Sequence, residues 1–127
     1  MSFAADIARF AAKANTSLDE ATRAVCVQLS SEIIQRTPVD TGRLRGAWVP
    51  SIGGPSQDEG SPDPTGSRAI ADAARVAHDA PGNVFYLVNN MPYARRIEYD
   101  GWSKVKAPAG MVRVSVLAVQ NAIRTAI

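Results

Sequence analysis

The residues best placed to do chemistry stand in the stretch TPVDTGRLRGAW, residues 37–48, which contains Asp40-Thr41-Gly42. Asp-Thr-Gly surrounds the reactive carboxylate of aspartic proteases, where two carboxylates from paired lobes share a proton because like charges so close cannot both ionise. A homodimer of this 127-residue chain could supply such a pair. The surroundings argue against it. The aspartate leaves a helical stretch through Thr37-Pro38-Val39 instead of following an apolar strand, and Arg43 and Arg45 favour a permanently ionised carboxylate. No second apolar Leu-Gly element or glycine-rich flap accompanies it. The same letters have a turn chemistry. Pro38 stops a helix, Asp40 and Thr41 accept backbone amides two residues on, and Gly42 adopts a positive φ at little steric cost. We therefore expect a helix-to-strand turn built by Pro38, Asp40, Thr41 and Gly42 that presents Arg43 and Arg45.

Other chemistries lack their residues. His78 is the single histidine, so a zinc site would need carboxylates from distant places. Neither the phosphate-cradling loop ending in Gly-Lys-Ser/Thr nor the dinucleotide glycine pattern occurs. The acidic residues lack the alternating ligands of a calcium-binding hand. No nucleophile elbow is present, and Cys26, the only cysteine, falls on the apolar side of a helical pattern as a small buried hydrophobe. The expectation is a protein that is not an enzyme and uses no metal, cofactor or small-molecule substrate.

The elements that position these residues follow from periodicity. Apolar residues at Phe3, Ile7, Phe10, Ala14, Leu18, Ala21, Val25, Leu29 and Ile33 keep helical steps of three and four. NTSLDE interrupts them with a capping box, Ser17 and Glu20. This predicts a short helix over about 3–14 and a long one over about 18–36, with a single bent helix as the alternative. RLRGAWVPSI suits a half-buried strand that Pro50 sends to an edge. Residues 53–67 are Gly, Pro, Ser and acid, and are expected to form a flexible exposed loop. SRAIADAARVAHDA reads as a helix capped by Ser67, with Ile70, Ala73, Ala74 and Ala77 on one face, ended by Pro81-Gly82. NVFYLVNN is the best strand, apolar on both faces and expected to be central. MPYARRIEYDG follows a proline turn into one or two helical turns before Gly101. At the end, Val112, Val116, Val119, Ile123 and Ile127 favour a helix over the strand suggested by the alternation at its start. The order of elements predicts an α+β fold in one domain, 1–127: a short N-terminal helix, one long helix packed on a small antiparallel sheet, a short alanine-rich helix and a C-terminal helix.

Composition agrees with an ordinary globular domain, 46% hydrophobic and 20% charged. Asp58, Glu59 and Asp63 give the 53–67 loop a charge of −3, which against a net +2 leaves +5 on the rest. No apolar run approaches the roughly eighteen residues that span a bilayer, MSFAADIARF does not have the pattern of a secretory signal, and a lone cysteine suits a reducing compartment. A cytoplasmic protein with no membrane partner is expected.

Three stretches together, RTPVDTGRLRGAW, YLVNNMPYARRIEYDGWS and KAPAGMVRVSV, resemble the head–tail joining proteins of long-tailed bacteriophages, variously called neck, tail-completion or minor tail proteins. The likeness covers residues 17–127 except the acidic loop, and departs at Asp100-Gly101-Trp102 from a plainer Glu-Tyr-Gly-Ser-type run. It implies a non-enzymatic virion component at the head–tail junction, made in the host bacterial cytoplasm. It also implies a homo-oligomeric ring of sixfold or twelvefold symmetry, other neck and tail proteins as partners, and DNA passing through the channel without sequence-specific binding. A terminator capping the tail tube is an alternative within this class, and a small basic DNA-binding accessory protein one outside it. Arg43, Arg45, Tyr93, Arg95, Arg96, Tyr99, Trp102 and Met111 are then the subunit-interface or channel candidates, being residue types enriched at interface cores or able to face DNA. Trp48 and Tyr86 are read as core. The acidic loop would meet a basic patch on the next subunit.

Overall fold

The computed structural model describes residues 2–39, 42–92, 94, 98 and 110–126. Of the expected site residues, Asp40, Thr41, Tyr93, Arg95, Arg96, Tyr99 and Trp102 lie outside the described residues.

The fold is α+β and rich in helix, with four helices and a two-stranded antiparallel sheet among the described residues. Helix α1 spans Phe3–Lys13 and α2 spans Leu18–Arg36. Ser2 caps α1 by accepting the Ala5 N–H, and Ser17 caps α2 by accepting the Glu20 N–H. The Glu20 carboxylate takes the Thr16 hydroxyl at 2.6 Å. Helix α2 ends at Thr37, whose extended backbone is the conformation that a following proline imposes.

A 3-10 turn, Arg45–Ala47, separates this corner from strand β1, Trp48–Ile52. Strand β2, Phe85–Asn89, pairs antiparallel to β1, with Pro50 opposite Leu87. The Gly53 N–H bonds the Val84 carbonyl at 2.9 Å. Alternation from that bond puts Pro50 at a non-hydrogen-bonded position, where its missing N–H costs the ladder nothing. Among the described residues β2 pairs with β1 alone, and all five of its residues are half-buried. The expectation of a central strand covered on both faces is therefore corrected. Its apolar residues come from partial burial over α2, not from two full layers.

Helix α3 spans Ser67–Ala77 and lays Ala69, Ala73 and Ala77 against α2 and β1, where small side chains permit close approach. Ala74 is exposed, against expectation. Helix α4, Val112–Ala126, fulfils the C-terminal helix, burying Ser115, Val119 and Ile123. Two apolar clusters result. One gathers Ile33, Ile34, Leu44, Trp48, Ala69 and Met111 under the sheet. The other gathers Val25, Val119 and Ile123 beneath Phe3, Ile7 and Phe10 of α1. Leu29 packs on both.

Candidate functional site

The corner after α2 is built around Thr37, which is completely buried. Its hydroxyl donates to the Ile33 carbonyl at 2.7 Å and accepts from Trp48 Nε1 at 2.8 Å. Trp48 is thus a core residue, as expected, with its one polar atom satisfied. The guanidinium of Arg45 turns back onto the end of α2. Its Nε and Nη2 donate to the Thr37 carbonyl at 3.2 and 2.8 Å, Nη2 to the Gln35 carbonyl at 3.0 Å, and Nη1 to the Pro64 carbonyl at 2.8 Å. A cation on the last carbonyls of a helix answers both their missing hydrogen bonds and the negative end of the helix dipole.

Gly42 takes φ +83, as the turn chemistry requires, and its carbonyl accepts from the Gly46 and Asp63 amides. Through this second contact the acidic stretch enters the corner. Residues 53–66 form a strap lying across the turn, held by three arginines. Arg43 donates to the Glu59 carbonyl and pairs with its carboxylate at 3.4 Å. Arg68 donates to the carbonyls of Gly46 and Ser61, both at 3.0 Å, and Arg45 reaches Pro64. Asn90 Nδ2 donates to the carbonyls of Ser56 and Asp58, at 2.9 Å each. The loop is exposed over most of its length, as expected, and is in addition tied to the body. The strap has little apolar surface to bury, but its backbone carbonyls are taken by donors of the body.

The strap also delivers a cap. Asp63, 9% exposed, accepts the Ala69 N–H on Oδ2 at 3.1 Å, so the first turn of α3 is capped from outside the helix. Ser67, the expected cap, is instead the first helical residue, preceded by Gly66 at φ +78.

Two further carboxylates are buried. Glu98 Oε1 accepts the amides of Met111 and Val112 at 2.7 and 2.6 Å. Its Oε2 accepts the Arg113 amide at 3.2 Å and Arg113 Nε at 2.8 Å. Arg113 also donates to the Glu98 carbonyl. Burial raises the pKa of Glu98, but the amides of Val112 and Met111 and both donors of Arg113 outweigh it, leaving the carboxyl below the ordinary glutamate range. Met111 itself is 1% exposed in the core, so its place as an interface candidate is corrected. Asp6, on α1, accepts from Gln120 Nε2 at 3.2 Å and Arg124 Nε at 2.9 Å, both on α4. Burial raises its pKa too, yet these two bonds and the Arg124 charge bring it below the ordinary aspartate value.

Arg43 and Arg45, expected to face a neighbour or a channel, are therefore turned inward, because the strap and the end of α2 offer them carbonyls. Sequence reasoning missed Thr37, Asp63, Glu98, Arg113 and Asp6. Asp6 had a signal, a lone carboxylate within the apolar pattern of α1. Glu98 had none, since its partners start thirteen residues away.

The remaining surface has two notable recesses. An open apolar groove of ≈ 460 Å³ runs between α2 (Val25, Cys26, Leu29, Ile33) and β2 (Phe85, Leu87). Burial pushes the Cys26 thiol up. A polar recess of ≈ 490 Å³ lies between the strap and α3, where Arg68 and Arg75 pair with Asp72 at 3.1 and 3.7 Å. Exposed pairs of this kind contribute little to stability. His78 is exposed, and its carbonyl accepts Arg23 Nε at 2.8 Å. Among the described residues no group of three or more His, Cys, Asp or Glu could hold a metal, and no helix is long and apolar enough to cross a membrane.

A scan against protein-family models finds no match, and searches of curated proteins and of solved structures return none either.

One expectation follows directly from the Arg45 geometry. Arg45→Met should lower stability by about 2 kcal/mol, since four charge-assisted bonds to carbonyls are lost. Arg45→Lys should recover only part, because an ammonium cannot span Gln35, Thr37 and Pro64 as a planar fork does. Urea denaturation of the three proteins measures this, and equal midpoints for Arg and Met would refute the role.

Proposed function

We propose that this chain is a structural virion protein of a tailed phage, part of the neck or tail-completion ring that joins head to tail around the DNA channel. It works by shape and symmetric contact and makes or breaks no covalent bond. One observation supports the proposal above others: the stretches that carry the phage resemblance are spent on scaffold. Arg45 and Trp48 of the first stretch lock the end of α2, while Glu98 of the second locks the start of α4 through Arg113 of the third. Motifs so committed shape a subunit, and among the described residues Arg43 and Arg45 of that corner are engaged by the strap and the end of α2. Subunits joined by head-to-tail contacts that close are the geometry for such a ring.

The test is assembly. Native mass spectrometry and negative-stain imaging over a range of concentrations should find a closed ring of six or twelve copies with little affinity for free duplex DNA. A protein that stays monomeric and binds duplex DNA with steep salt dependence would instead be a basic DNA-binding accessory protein.

A further inference from the structure

Residues 2–37 contain neither glycine nor proline, yet the helix they form breaks once, at Ala14–Ser17. The Asn15 N–H bonds the Ala12 carbonyl at 3.3 Å and the Thr16 N–H bonds the Ala11 carbonyl at 3.0 Å. This pair of bonds closes a helix on a left-handed residue, a place usually held by glycine. Here Asn15 holds it, at φ +54, while every other positive-φ position among the described residues is a glycine.

Two observations show what straightening the break would give. The apolar stripe Phe3, Ile7, Phe10, Ala14, Leu18, Ala21, Val25 keeps helical steps straight through it, so a continuous helix would carry one unbroken apolar face. Leu18, on that stripe, is 55% exposed at the corner as it stands. Among the described contacts, α1 is held by packing of Phe3, Ile7 and Phe10 on the Val25, Val119 and Ile123 cluster, by buried Ala11, and by the bonds of Asp6 to Gln120 and Arg124. An α1 from a second copy can make every one of these contacts equally well.

We propose that α1 is exchanged between copies of this chain. The Ala14–Ser17 turn straightens, α1 and α2 fuse into one helix, and the α1 of each copy docks on the α2–α4 face of the next, Asp6 meeting Gln120 and Arg124 of that neighbour. Docking contacts are the same in both forms, so the hinge and the concentration decide between them. A short hinge with a strained residue is the usual setting for such exchange. The closed form keeps the Ser17 cap and the turn bonds. The exchanged form relieves Asn15 and continues the helical ladder. Passing α1 onward is a head-to-tail contact, the class that gives a ring when its rotation closes and a filament when it does not. The inference rests on the ring proposal for the number of copies, and on the hinge for the exchange itself.

The experiment uses two full-length chains in a Cys26→Ser background, one with Asp6→Cys and one with Gln120→Cys, mixed at high concentration and oxidised. Disulfide-linked pairs containing one chain of each kind are expected. Because these substitutions weaken docking, hinge variants that keep every docking contact are measured alongside. Asn15→Gly, which suits the left-handed turn, should move the monomer–oligomer midpoint to roughly fivefold higher concentration, and Asn15→Ala, which suits the helix, to lower concentration. A ring without mixed disulfides and with the same midpoint for both hinge variants overturns the exchange and leaves the ring proposal standing. A protein monomeric at all concentrations overturns both.

Discussion

Gly46→Ala is expected to lower stability by about 3 kcal/mol or more, a large fraction of the roughly 5–15 kcal/mol by which a domain stays folded. A Cβ at Gly46 would stand 1.8 Å from the Ser61 carbonyl oxygen and 2.7 Å from the Asp63 nitrogen, both backbone atoms. The crossing is tight from the other side too, since a Cβ at Gly60 would stand 2.1 Å from the Gly46 oxygen. No rotamer change relieves a clash between two backbones, so the strap would have to lift. Lifting it breaks the bonds from Arg68 to Gly46 and Ser61, from Arg43 to Glu59, and from Asp63 to Gly42, and removes the Asp63 cap from α3. Gly54→Ala is the control. A Cβ there meets nothing within 4 Å, and the change should stay within about 0.5 kcal/mol of the parent. Urea midpoints followed by far-UV circular dichroism compare the two. Equal midpoints would show that the turn and the strap do not cross as described.

Glu98→Ala should cost about 2–4 kcal/mol, because it leaves the amides of Met111, Val112 and Arg113 and one guanidinium N–H without their acceptor at a largely buried helix end. Glu98→Gln keeps the shape but turns an NH₂ toward donors and removes the charge that favours a helix N-terminus, so most of the loss should remain. The pH dependence separates charge from shape. The carboxyl is depressed in the folded protein, so its contribution is fully present above the unfolded glutamate pKa of about 4.3 and is lost as pH falls through the lower folded value. The stability gap between the parent and Glu98→Gln should therefore be constant near neutrality and narrow in acid. Asp6 is depressed in the same sense and steepens the acid limb of both proteins alike. Chemical denaturation at a series of pH values between about 7 and about 3 reads the gap. A gap of the same size throughout would rule out an ionised Glu98 as the cap.

What was legible in the sequence depended on how far apart the interacting residues lie. The spans of α1 and α2, the Ser17 cap, the stop before Pro38 and the positive φ of Gly42 all rest on partners within four residues, and each follows from residue type and spacing. The C-terminal helix was legible because its stripe outlasts the alternation at its start. The strap was not. Its composition predicts a free loop, because Gly, Pro, Ser and acid have little apolar surface to bury. What holds it is a set of carbonyls, and every residue has a carbonyl. Composition therefore carries no sign of the arginines that bind them. The same reasoning explains why Arg43 and Arg45 were expected at a surface and lie instead on the strap and on the end of α2.

By itself the sequence determined an α+β chain, the spans of α1 and α2, a strand containing Pro50, and a glycine of positive φ at Gly42. Only the tertiary structure decided which charges are internal. Asp6 finds Arg124 across 118 positions, Arg45 finds Pro64 across 19, and Glu98 finds the first amides of α4 across 13 to 15. Such pairs form because a buried charge or an open helix end must be satisfied by whatever the packing brings within 3 Å or so. No local rule names that partner before the helices are packed.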